Sequence, residues 1–164
     1  MFEHFEHPRE LFEYQLGAAL TMEKDSLAML RELEMAAQND EVRSLFSHHQ
    51  DETEQQIRNL ERAFELLGRD PDPSPSATTK GLMKEGSSML TKTSEPLRDT
   101  VALSAALGTE HYEISAYESL IVSAEAMGET EVCSLLEQNL EQEKHTSEEL
   151  TQAARRLATA TSAG

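Results

Sequence analysis

The chain has 164 residues, enough for one domain that buries its own core without disulfide staples. Acidic residues number 31 against 14 Lys plus Arg, a formal charge of -17, which excludes nucleic-acid phosphates and anionic lipid headgroups as direct partners. The single Cys133 cannot form an internal bridge, no apolar run approaches the roughly 20 residues of a membrane span, and the opening MFEHFEHPRE lacks the features of a secretory signal, so a cytoplasmic location is expected.

Acidic composition alone is also the signature of disorder, but the patterning argues for a packed domain. The 38% of hydrophobic residues recur at three- and four-residue intervals among Ala, Leu, Glu, Met and Gln, while Trp is absent and strand alternation is missing. An all-α fold follows.

The first long helix is expected from Pro8, suited to a first turn, to about Gln38, where Asn39 and Asp40 offer turn and N-cap chemistry. A second spans roughly Glu41 to Leu67, with Gly68 placed to end it and Pro71 beyond. The short connection makes these two antiparallel neighbours. Residues Arg69 to Thr79 hold three of the five prolines and read as a long crossover carrying a short helix, Lys80 to Leu90. A third long helix starts near Pro96 and ends before Gly128; a fourth runs from Thr130 into an Ala/Thr-rich tail that frays by Thr159. The expected organisation is a flexible tail over 1–8, a four-helix bundle over 9–158 and a frayed C-terminus over 159–164. EVRSLF at Glu41 recurs ninety positions later as EVCSLL at Glu131, and the same offset pairs Glu23 with Glu113 and Leu60 with Leu150, the mark of a two-hairpin repeat.

Writing out each buried stripe exposes residues that do not belong in a core. The first helix reads Phe12, Leu16, Ala19, Glu23, Leu27, Leu30, Ala37; the second Val42, Leu45, His49, Glu52, Gln56, Leu60, Ala63, Leu67. The third reads Leu103, Ala106, Glu110, Glu113, Tyr117, Leu120, Ala124, Met127; the fourth Val132, Leu136, Asn139, Glu143, Ser147, Leu150, Ala154, Leu157. Antiparallel pairing brings the acids into one layer. Burying an ionised carboxylate costs several kcal/mol, and Lys24, Arg31, Arg43 and Arg58 fall on outer faces. Glu23, Glu52, Glu110, Glu113 and Glu143 therefore point to a divalent metal pair, and hard oxygen donors with an imidazole nearby suit iron or manganese better than zinc. His49 is either a ligand or a hydrogen-bond partner that orients Glu52. Tyr112 and Tyr117 either donate to a metal-bound carboxylate, serve a redox role or pack in the core, where Met22, Met29 and Met35 are also expected. Asp51 and Glu54 lie off the stripe. His4 and His7, in the repeated FEH, read as tail.

The segments EHYEISAY (Glu110 to Tyr117), HQDET (His49 to Thr53), Met22 to Lys24, Arg98 to Asp99 and EQEK (Glu141 to Lys144) are similar to the YciE/YciF-type stress proteins of the ferritin-like superfamily. The likeness covers about Pro8 to Leu157. It implies a ferritin-like di-metal bundle with one long crossover, homodimerisation, a bacterial stress context and ferroxidase-type chemistry with oxygen or peroxide. The superfamily's Glu-x-x-His pattern is not met here, because the local candidates are Glu52-x-x-Gln55 and Glu143-x-x-Thr146. His111 and His145 are weak ligand candidates. The alternative is a non-catalytic acidic helical dimer with a binding or structural role under stress.

Overall fold

The computed structural model describes residues 4–162. It is a ferritin-like four-helix bundle with one long crossover: α1 (Pro8–Ala36), α2 (Asp40–Leu66), α3 (Ala77–Thr91), a 3-10 turn (Glu95–Leu97), α4 (Arg98–Met127) and α5 (Thr130–Ser162). Helices α1 and α2 form one antiparallel hairpin, α4 and α5 the other, and α1 lies beside α4 with α2 beside α5. Among the described residues no helix is long and apolar enough to cross a membrane.

The ends follow the local chemistry of the sequence. Asn39 caps α2, its side-chain oxygen accepting from Glu41 N at 2.8 Å. Gly68 and Gly128 take left-handed φ of 71° and 72°, and Arg69 N and Glu129 N reach back to Phe64 O and Ala124 O, closing α2 and α4. The last helix outruns its expected end. Helical pairing continues to Ser162, because Ala158 and Ala160 favour helix and the Thr159 hydroxyl bonds back to Arg155 O at 2.9 Å. At the other terminus α1 starts at Pro8; residues 1–3 and 163–164 of the two expected tails lie outside the described residues.

The crossover is tied to the bundle at Gly17. A Cβ there would stand 2.3 Å from the backbone oxygen of Asp72 and 2.6 Å from Ser74 Oγ, so only glycine lets the chain between α2 and α3 cross α1 so closely. Beyond it the Thr79 hydroxyl donates to Asp25 at 3.0 Å and anchors α3. Gly86 sets α3 close against Ala105 of α4.

Two apolar clusters fill the bundle, one containing Phe12, Leu16, Leu20, Leu60, Phe64, Leu120 and Leu136, the other Leu30, Leu33, Val42, Phe46, Leu103 and Leu150. On each long helix the stretch between the two clusters is polar. Met22 and Met29 are buried as expected, but Met35 is 79% exposed, since two residues past buried Leu33 the helix has turned it to the opposite face. Leu27, Leu45, Leu67, Met127, Ala154 and Leu157 are only partly covered.

Candidate metal centre

The polar layer between the clusters contains Glu23 of α1, His49, Thr53 and Gln56 of α2, Glu110, Glu113 and Tyr117 of α4, and Asn139, Glu143 and Thr146 of α5, all buried. His49, Glu110 and Glu143 each offer one ligand atom, and these atoms lie within 4.8 Å of one another. His49 Nε2 stands 3.3 Å from Glu110 Oε1 and 3.9 Å from Glu143 Oε2, yet neither approach is aligned as a hydrogen bond. Both oxygens of Glu113 and Glu143, and one each of Glu23 and Glu110, have no protein hydrogen-bond partner. Such atoms are rare in packed interiors, because leaving them unpaired sacrifices hydration without return. Among the described residues no Lys or Arg pairs with them. The donor set of carboxylate oxygens with one imidazole fits a hard divalent cation.

The electrostatics agree with the geometry. Burial first, then the charge of Glu143, hold the Glu23, Glu110 and Glu113 carboxyls well above the usual carboxylate range. The Tyr117 hydroxyl opposes this at Glu23, and Ser26 opposes it at Glu113. Burial likewise pushes the Tyr117 phenol up, reinforced by Glu23 and Glu143, which keeps it a proton donor.

A hydrogen-bonded string crosses all four helices at the Glu23 end of the layer. Tyr117 donates to Glu23 Oε1, Asn139 Nδ2 donates to the Tyr117 oxygen at 3.0 Å and to the backbone carbonyl of Gln56 at 3.2 Å, and Asn59 donates to Asn139 Oδ1 at 2.7 Å. Gln55 continues the string to the surface by donating to Asn59 at 3.0 Å. Tyr117 is thus both packed in the core and bonded to an acid of the layer. Asn139 and Gln56 stand on the stripes read from the sequence, but neutral amides at core positions carry no charge conflict to mark them.

Glu52 stands apart from the other five residues. Its side chain is 15% exposed, accepts from the Thr146 hydroxyl at 3.1 Å and lies 3.7 Å from His48 on the outer face. His111 and His145 are exposed and remain outside the layer, and Tyr112 is half-buried at the α1–α4 surface. Glu54 is exposed beside Arg31. A separate group, Glu125, Cys133 and Glu137, gathers at the α4–α5 turn with both carboxylates in solvent.

Residues 7–163 match the family described as Domain of unknown function (DUF892). The chain belongs to that family. It is 29% identical over 147 residues to Protein YciF of Escherichia coli, covering 88% of this chain and 89% of the relative. The crystal structure of that E. coli stress protein superposes with a TM-score of 0.90 at 27% identity, over 94% of this chain and 99% of the other. YcfI from Rhodopseudomonas palustris, to which a structural role is ascribed, gives 0.89 at 26% identity, over 92% and 98%. A ferritin-like, diiron-carboxylate protein from Bacillus anthracis shares the fold alone, with a TM-score of 0.71 at 18% identity, over 92% and 99%. The DUF892 chain described here is therefore a YciF-related, ferritin-like bundle.

Proposed function

We propose that this protein is a di-metal carboxylate oxidoreductase of the ferroxidase type, using iron or manganese. The observation that carries the reading is the set of unpartnered carboxylate oxygens on Glu23, Glu110, Glu113 and Glu143 around His49, sealed between two apolar clusters. Bound there, an iron or manganese pair would supply redox chemistry toward oxygen or peroxide, most concretely the oxidation of Fe(II) to Fe(III). The protein's residues do the rest. Glu23, His49, Glu110, Glu113 and Glu143 hold and space the ions. Tyr117 keeps its proton on the bond to Glu23 Oε1 and leaves Oε2 free to face a cation. The apolar clusters above and below exclude bulk water. The likeness to an E. coli stress protein supports a role in a bacterial stress response; that the protein acts as a cytoplasmic homodimer is part of this proposal.

Anaerobic Fe(II) loading followed by elemental analysis and exposure to air tests the reading. About two irons per chain, oxidised rapidly on mixing with oxygen, are expected. The structural role ascribed to the R. palustris relative favours a second reading, a non-catalytic acidic dimer. That reading prevails if no stoichiometric metal binds.

A further inference from the structure

Gln56 is fully buried on α2, and neither its amide nitrogen nor its amide oxygen has a partner in the protein. Leaving both ends of a buried carboxamide unpaired is destabilising by a few kcal/mol in ordinary core surroundings. Its position says what it faces. Seven residues after His49 is two helical turns less about 20°, so Gln56 shares the His49 face about 10 Å farther along the axis. Glu52 lies about 60° off that face, which is why it emerges at the rim beside Thr146 and His48. The Gln56 backbone carbonyl accepts from Asn139 Nδ2, which also donates to Tyr117, itself the donor to Glu23; this turn of α2 therefore stands at the Glu23 end of the layer.

The internal repeat gives an independent register. The ninety-residue offset that pairs Glu23 with Glu113 places Thr53-x-x-Gln56 on Glu143-x-x-Thr146, and all four of those residues are buried. Glu52-x-x-Gln55 falls one residue out of register, with Gln55 in solvent. Charge points the same way. The buried acids Glu23, Glu110, Glu113 and Glu143 carry four negative charges when ionised, which two divalent ions balance; a fifth carboxylate would leave a net charge in a dry layer.

We infer that Gln56, not Glu52, is the second α2 contact of the metal pair, its carboxamide oxygen serving as a neutral ligand to the ion nearer Glu23. His49 then serves the ion nearer Glu110. This assignment rests on the di-metal reading above and deepens it. It replaces Glu52, which becomes a largely covered acid held by Thr146 at the rim of the layer.

Titration of Mn(II) or anaerobic Fe(II) into the apo protein, read by calorimetry and elemental analysis, tests it. Gln56→Leu should leave one tightly held ion and weaken the second by roughly 100-fold. Gln56→Glu should hold two, and Glu52→Gln should hold two with affinities within about twofold of wild type. Apo Gln56→Leu should also melt no lower than apo wild type, since it loses two unpaired polar atoms, and this separates ligand loss from unfolding. Two tight ions on Gln56→Leu, or loss of one on Glu52→Gln, overturns the assignment while leaving the di-metal reading intact. Wild-type protein that takes up no ion overturns both.

Discussion

Glu113 is fully buried, shares no salt bridge among the described residues, and faces Glu143 and Glu23, whose charges add to burial in raising its pKa. A single change at this carboxylate therefore separates metal binding from folding. Glu113→Gln keeps the shape and removes the charge; it should lose at least one ion, while the apo form melts no lower than wild type above neutral pH. Glu54→Ala is the control. Glu54 is exposed beside Arg31 at 3.5 Å, an arrangement worth little in stability, and its removal should leave metal stoichiometry unchanged. Elemental analysis of both variants after identical loading decides the matter; loss of metal from Glu54→Ala alone would place the site elsewhere.

At the scale of elements, two small contacts hold long helices in register. Asp99, near the start of α4, accepts Gln38 N at 2.8 Å and Asn39 N at 2.9 Å, and so ties α4 to the α1–α2 turn. The residue is 7% exposed, so its loss strands two backbone donors. Asp99→Ala should lower the unfolding free energy by roughly 2–4 kcal/mol, measured by urea denaturation. Gly17→Ala adds a methyl group that would stand 2.3 Å from the crossover backbone. Alanine's better helix propensity would return about 1 kcal/mol, but displacing the crossover should cost roughly 1–3 kcal/mol. Net destabilisation is expected, and increased proteolysis between α2 and α3 should accompany it.

For the molecule as a whole, the acid layer makes stability depend on pH and metal together. Glu23, Glu110 and Glu113 have folded pKa values raised above the ordinary glutamate value, so the folded apo protein binds more protons than the unfolded chain. Their contribution is complete below about pH 4.3, the ordinary glutamate value, and is lost as pH rises through the folded values. The apo melting temperature should accordingly fall from mildly acidic to alkaline pH. Divalent metal should flatten or reverse the slope, because cations favour the ionised carboxylates and bind only the folded arrangement. Melting curves at several pH values, with Mn(II) and with chelator, measure both trends; a metal-independent slope would contradict the placement of these acids around ions.

Helical periodicity, with Asn39, Gly68 and Gly128 marking the helix ends, by itself determined the all-α class, the two hairpins, and the placing of Glu23, Glu110, Glu113, Glu143 and His49 on inward faces. Those features are local or repeat every turn, and acids on an apolar stripe advertise their own conflict. Periodicity defines a face only to within about a third of a turn, so it could not separate Glu52 from Gln56 or turn Met35 outward. Which side of a stripe is centre and which is rim depends on where the neighbouring helix crosses. The Tyr117–Asn139–Asn59 string, the Asp99 brace and the passage of the crossover over Gly17 join residues far apart in sequence. Tertiary packing decided these features, because hydrogen-bond partners and close approaches arise only once four helices meet at fixed depth and rotation.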